Sequence, residues 1–220
     1  PDEMPVSALH PAAPQRSAAD PVVLLRQLEE RLSTLYVGTM PDVAAITRAA
    51  HEAGARVVVD GVHLTPHARV DLAAIGCYVF STSSYKWYGP HTGITWLSPE
   101  LVTSLSAYKV RPAPETGGER FMLGTPAYEN LAAVEVAARF LIELGLDRIA
   151  AHERRIFARL LEGLLAEDGV TVLGPHDLAD RTPTVAFNIV GHTAAEVTAA
   201  LADEQIAVWD GNYYALEAME

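Results

Sequence analysis

Val57-Val58-Val59-Asp60-Gly61-Val62-His63 and, after a short connection, Phe80-Ser81-Thr82-Ser83-Ser84-Tyr85-Lys86-Trp87-Tyr88-Gly89-Pro90 decide how this chain is read. In the first stretch, β-branched apolar residues run straight into an acid. In the second, an apolar start gives way to hydroxyls and then to a lysine between aromatics. Two buried parallel strands have this form, each delivering polar groups at its C-terminal end. That end is where open α/β sheets bind ligands.

A carboxylate directly after three valines is poorly solvated unless a cation meets it. Lys86, between Tyr85 and Trp87, has flanks that would bury it, lower its pKa and make it nucleophilic. One acid, one lysine and a group of hydroxyls suit a cofactor with three handles. Pyridoxal phosphate has an aldehyde for the lysine, a ring nitrogen for the acid and a phosphate for the hydroxyls. The bland readings stand beside this one. A lysine flanked by Tyr and Trp also describes a snorkelling surface residue. Asp60 before Gly61 also suits a turn or a helix cap, and His63 a satisfied loop histidine. Ser81, Thr82 and Ser84 read as turn and capping hydroxyls, and His67 and His91 carry no role that the sequence argues.

Two further strings, Lys109-Val110-Arg111-Pro112-Ala113-Pro114 and Arg120-Phe121-Met122-Leu123-Gly124-Thr125-Pro126, follow in order. With them, the chain from about residue 40 to 219 resembles the class V aminotransferases of fold-type I, cofactor pyridoxal 5'-phosphate, and within them the cysteine-desulfurase-like branch. The resemblance implies that Lys86 forms the Schiff base and moves the substrate α-proton. It implies that Asp60 meets the ring nitrogen, that His63 hydrogen-bonds the ring's phenolic oxygen and that Ser83 binds phosphate. Tyr85 stands where desulfurases place a histidine. Gly124 and Thr125 match a loop that reaches the phosphate of a neighbouring subunit, which implies a homodimer with shared sites.

The chain also departs from that family. Its N-terminal half, with the ring-stacking residue and a phosphate loop, has no counterpart here, and the chain reads as truncated at both ends. Alignment of residues 206–215 puts Tyr214 at the desulfurase cysteine and Trp209 at the arginine that clamps the substrate carboxylate. Cys77, the one cysteine, falls on an expected buried strand, where cysteines are commonly inert. A persulfide-forming route is therefore not expected. Trp209, Asn212 and Tyr213 read either as lining a substrate pocket or as packing between domains.

Composition narrows the partners. A net charge of −12 and half the residues hydrophobic argue for a sizeable core and against nucleic acid or anionic membranes. One cysteine permits no internal disulfide. No apolar run is long enough to span a bilayer and no signal-peptide pattern opens the chain, so a cytoplasmic location is expected. No metal site is expected. The basic residues Arg148, His152, Arg154, Arg155 and Arg159 admit a nucleic-acid reading, but the acidic chain favours a solvated helix face.

In order, the expected elements are an irregular lead over 1–20, a helix over 21–32, a short strand over 35–37 and a helix from Asp42 to Gly54. Strands then follow at 57–60, 77–81 and 93–97, with short helices at 71–75 and 99–105 and a Pro- and Gly-rich loop over 109–125. Helices over 129–144 and 147–167, strands at 170–173 and 184–190, a helix over 193–203 and a strand at 206–208 complete the chain. The fold class is α/β: a partial large cofactor domain over 21–145, then a bridging helix and partial small domain over 146–220. The reading is an enzyme acting on an amino acid or amine by transfer or elimination. The alternatives are a non-catalytic relative or fragment that keeps the motif, and a plain NAD-type domain. The latter lacks the required G-x-G-x-x-G.

Overall fold

The computed structural model describes residues 37–122 and 124–211. The expected lead and first helix lie outside them, as do Asn212, Tyr213 and Tyr214. Of the expected strand at 35–37 only Val37 is described, and it sits in a turn.

The first helix among the described residues, α1 (Val43–Glu52), begins where Asp42 accepts a hydrogen bond from the Ala45 amide, and it gives way at Gly54, at φ +75°. The valine run then forms β1 (Val58–Asp60). Asp71 caps α2 (Leu72–Ile75), and Gly76 ends it in the left-handed region. β2 (Val79–Ser83) runs parallel to β1 with Asp60 opposite Ser81, and β3 (Gly93–Leu97) pairs antiparallel to β2. A 3₁₀ turn over Ser84–Trp87 leaves the end of β2. Ser98 caps α3 (Pro99–Ser104), with proline in its first turn. After a loop holding a second 3₁₀ turn, Gly118–Phe121, come α4 (Tyr128–Leu144) and α5 (Leu146–Ala166). A two-stranded antiparallel sheet follows, β4 (Val170–Leu173) with β5 (Ala186–Ile189). Last is α6 (Ala194–Asp203), opened by a capping box between Thr193 and Glu196.

Three expectations need correction. The strand expected at 77–81 starts two residues later, because its ladder begins where Val79 meets Val58 and Leu97. Cys77 therefore precedes the strand, although it is buried as expected, 3% exposed. Residues 206–208 form no strand: Ile206 and Val208 are exposed, and an isolated apolar triplet needs a neighbouring strand for its backbone groups. Nor is β1 buried on both faces. Val57 is 4% exposed but Val58 is 57% exposed, and Asp60 is exposed as well. β1 is the edge of the described sheet. Val57 and Val59 point to the α1–α2 side, and the alternate residues Val58 and Asp60 point to an open face.

Three apolar clusters hold these layers. Phe80, Cys77, Val57 and Ala50 pack under β1 and β2. Trp87 packs with Ala137 and Leu141 of α4, and Phe157 and Leu161 of α5 pack on Val172 of β4. The middle cluster matters most for the site, since it fastens the turn that carries Lys86 to a long helix.

One buried group is badly matched to its place. Thr47 of α1 is 1% exposed, and its hydroxyl has no hydrogen-bond partner among the described residues. An unpaired buried hydroxyl costs about 1–3 kcal/mol. Thr47→Val, which keeps the branched shape, is expected to raise stability by about 1 kcal/mol, read as a higher urea midpoint at unchanged slope. A lower midpoint would mean that the hydroxyl has a partner.

Candidate active site

The ends of β1 and β2 bring the sequence motifs together. Asp60 closes β1, and its Oδ1 accepts a hydrogen bond from the Val62 amide at 2.9 Å. The Gly61 amide donates to the Ser81 carbonyl at 2.8 Å, so the ladder to β2 continues into the turn. Thr65 donates from both its amide and its hydroxyl to the Gly61 carbonyl. The turn reading of Asp60 is thus realised, and its carboxylate still faces the open side of the sheet. It is not the water-starved acid that three preceding valines suggest, because strand alternation turns it away from the core.

Ser83 ends β2 half-buried, and its side chain makes no capping bond to the 3₁₀ turn that follows. Ser84 has the opposite character. It is fully buried, and its hydroxyl bonds to the Pro90 carbonyl at 2.6 Å and lies 3.0 Å from that of Thr92. Thr82 accepts from the Trp87 indole nitrogen at 3.1 Å. Ser84 and Thr82 therefore build the turn, as expected of structural hydroxyls. Ser81 likewise pairs with Thr95 across the sheet. Gly89 closes the loop because a Cβ there would lie 2.7 Å from the Ser84 Cβ.

With Trp87 locked inward at 6% exposure, the preceding Lys86 points outward. Its ammonium lies 5.7 Å from the centre of the Tyr85 ring, which in turn stacks on His91 at 5.0 Å. The expectation that the aromatic flanks bury Lys86 is not met: Lys86 is exposed, and of its two neighbours only Trp87 turns inward.

His63 joins this group from the loop after β1. Its Nε2 lies 3.1 Å from the Thr182 hydroxyl and 3.0 Å from that of Thr184, side chains more than a hundred residues later. Burial lowers its pKa first, then the nearby charges of His67 and Lys86. Lys86 and His63 therefore share one electrostatic neighbourhood. Since an unfolded histidine titrates at about 6.5, the unfolded chain holds more protons than the folded one just below that pH. Stability from neutral His63 is then complete above about pH 6.5 and is lost as pH falls toward the lower folded value. Urea melts between about pH 5 and 7.5 are expected to show the wild type losing more stability on acidification than His63→Gln. Parallel profiles would contradict the assignment.

Behind His63, Arg181 acts as a clamp that sequence reading missed. It is 8% exposed and lies over the Phe157 ring at 4.6 Å. It donates to the carbonyls of Pro175, Val37 and Thr184, the last at 2.6 Å. It thereby fixes the Thr182-Pro183-Thr184 segment against the N-terminal part of the described chain. Burial pushes its pKa down. His67, without a sequence-derived role, pairs with Glu153 of α5 at 3.0 Å. Nothing local in the sequence signals either partnership, since only the fold makes these residues neighbours.

The remaining candidates stand apart. Gly124, at φ +77°, and Thr125 lie on an exposed turn. Trp209 is 81% exposed after α6. The basic residues of α5 are exposed, as expected of a solvated face, and two of them also make structural bonds. Arg154 donates to the Leu178 carbonyl and Arg155 pairs with His152. Among the described residues no cluster of acids, histidines and cysteine could hold a metal ion, and no helix is long and apolar enough to cross a membrane.

An acid, an imidazole, a hydroxyl and an amine at the C-terminal ends of two parallel strands invite comparison with known proteins. Probable cysteine desulfurase 2 of Mycobacterium leprae is 30% identical, the match covering 86% of this chain and 50% of that protein. A cysteine desulfurase of Klebsiella pneumoniae strain 342 is 31% identical over 91% of this chain and 51% of its own length. The chain spans about half the length of the curated relatives it matches. In fold it is similar to the apo cysteine desulfurase of Thermococcus onnurineus NA1, with a TM-score of 0.74 at 24% identity over 84% of this chain and 49% of that one. Class V aminotransferases and cysteine desulfurases are pyridoxal phosphate enzymes. The profile of the family described as Aminotransferase class-V matches residues 32–220, which takes in both sheets and every motif named above, so the chain belongs to the class V aminotransferase family.

Proposed function

We propose that this chain carries the lysine-bearing half of a pyridoxal phosphate site that acts on an amino-acid or amine substrate. The supporting observation is the convergence of Asp60, His63, Ser83 and Lys86 at one end of two adjacent parallel strands. The donor set fits the cofactor: an exposed amine, an exposed carboxylate, an imidazole and a hydroxyl not used for capping. When bound, pyridoxal phosphate supplies an electron sink for a substrate carbanion. Lys86 Nζ would hold it and would serve as general base and acid for the α-proton. The Asp60 carboxylate would hold a proton on the ring nitrogen. Ser83 and, from a second copy in a homodimer, Gly124 and Thr125 hold the phosphate. Tyr85, stacked on His91 beside the lysine, contributes to cofactor binding. Trp209, Asn212 and Tyr213 contribute to substrate contact. Residues 21–145 form the cofactor domain and 146–220 the smaller one, in a cytoplasmic enzyme.

The expected departure from desulfurase chemistry belongs to this proposal, and the relatives' names favour the other reading. Cysteine desulfuration needs a thiolate that reaches the substrate sulfur. The one thiol of this chain, Cys77, is 3% exposed, and burial pushes its pKa up. The proposal is tested by loading the protein with the cofactor and offering a panel of L-amino acids in deuterated water. Loss of the α-proton signal without sulfide release from L-cysteine is the expected result. Sulfide release at a rate matching α-proton loss would favour the desulfurase reading, and no exchange with any substrate would leave a motif-bearing relative without catalysis.

A further inference from the structure

Between the loop after β1 and helix α5 lies a half-open cavity of about 250 Å³, and neither Asp60, Ser83 nor Lys86 lines it. Its walls are largely apolar, with Met40, Ala150, Phe157 and Leu178 among them. Four ionisable side chains complete it: His67, Glu153, Arg154 and Arg181. Apolar walls with a few converging polar groups are the make-up of a small-molecule site, and such sites favour places where parts of a fold meet. The charges choose the ligand. Glu153 directs both carboxylate oxygens to His67 Nδ1, at 3.1 and 3.0 Å. Arg181 lies over Phe157 and is held by backbone carbonyls, but its Nε has no partner among the described residues. Arg154 donates from Nη1 to the Leu178 carbonyl at 2.7 Å, and its Nη2 has no partner among the described residues. Two guanidiniums thus stand against one carboxylate that is already paired. A positive lining in a chain of net charge −12 is a local reversal, and low-dielectric walls focus it on whatever enters. A guanidinium with free N–H groups is matched by a carboxylate.

We propose that this cavity binds a small monocarboxylate with an apolar body, its carboxylate on Arg154 and its body against Met40, Phe157 and Leu178. A sugar acid or an inorganic anion would leave hydroxyls or charge without partners against these walls. The cavity adjoins the candidate active site, since Thr182 lines it and bonds His63, and the rings of His63 and His67 lie 5.4 Å apart. This site stands whether or not Lys86 carries a cofactor.

The test titrates phenylacetate into the full chain without cofactor by calorimetry, near neutral pH and at low salt, with phenylacetamide as the uncharged isostere. Saturable binding of phenylacetate is expected, roughly tenfold or more tighter than that of the amide. Arg154→Gln is expected to weaken phenylacetate by a similar factor, and Ala150→Leu, which fills the cavity, to abolish binding. Arg159→Gln removes a basic residue of the same helix that does not line the cavity, and is expected to change nothing. Histidine ring signals locate the ligand: those lost in His67→Gln should move on saturation, and those lost in His192→Gln should not. Equal affinity for acid and amide, no saturable binding, an equal loss in Arg159→Gln, or binding that survives Ala150→Leu would overturn the inference. Should the leucine variant not fold, Arg154→Gln and the amide decide. Because no cofactor is present, failure of the cofactor reading at Lys86 leaves this result standing, and the two are told apart.

Discussion

Lys86→Ala is expected to lower the rate of substrate α-proton exchange by roughly 10²–10⁴-fold, the range for removing a positioned general base. The same change is expected to leave stability within about 0.5 kcal/mol, because the side chain is exposed and anchors nothing. The turn keeps its shape through its neighbours: Trp87 is buried against α4 and Ser84 is fully bonded inside the loop. Function and folding are thereby separated at adjacent positions. Trp87→Ala should cost about 3–5 kcal/mol as a buried aromatic, whereas Lys86→Ala should cost chemistry alone. Exchange rates on the loaded protein, beside urea melts of each variant, check both statements. An exchange rate unchanged in Lys86→Ala would remove this lysine from the mechanism.

Gly61→Ala is expected to be the most damaging single methyl in the site. A Cβ at Gly61 would lie 1.9 Å from Phe80 Cζ and 2.5 and 2.8 Å from the two neighbouring ring carbons. Phe80 is 5% exposed within the cluster under β1 and β2, so its ring has no empty space to enter. Either the ring leaves its rotamer or the turn lifts. Overpacking of this kind costs about 1–3 kcal/mol, and a contact this short belongs at the upper end. Lifting the turn would also strain the Gly61 amide bond to Ser81 and the Val62 amide bond to Asp60, and so displace the carboxylate and His63 together. A companion Phe80→Leu removes ring atoms from the clash. The double variant should therefore be more stable than the sum of the single changes, by a coupling of about 1 kcal/mol or more. Additive free energies in urea melts would show that the close approach does not govern this turn.

Much of the fold was legible because it obeys local rules. Asp42, Asp71 and Thr193 stand at expected helix starts that the structure realises as side-chain caps, and the helix expected from Pro99 is capped by Ser98, which sequence reading did not single out. The strands expected at 93–97 and 170–173 form over those residues. The misses share a cause. Whether residues 206–208 form a strand depends on a partner strand, and the start of β2 depends on where β1 and β3 lie alongside it. Apolar runs show neither. The open face of β1 is of the same kind: alternation says that Val58 and Asp60 share a face, and only the assembled layers say which face is covered.

The candidate site divides along the same line. Asp60, Ser83 and Lys86 could be read as a set because each sits at or just beyond the end of a strand. Their neighbours in sequence did not reveal that Lys86 is exposed, since the direction of a 3₁₀ turn is set by which aromatic finds a core. Trp87 does, against Ala137 and Leu141. The partners of His63 were out of reach altogether. Thr184 is expected only as the first residue of a strand, and nothing singles out Thr182, until the fold places them 3.0 and 3.1 Å from its ring.

The central claim, that Lys86 is the anchor of a pyridoxal phosphate site, is tested most directly by borohydride reduction of the protein with the cofactor, followed by peptide mapping. The account predicts one stoichiometric label, on Lys86, that is lost in Lys86→Ala. Label on Lys109 or on the terminal amine, or none at all, would contradict it.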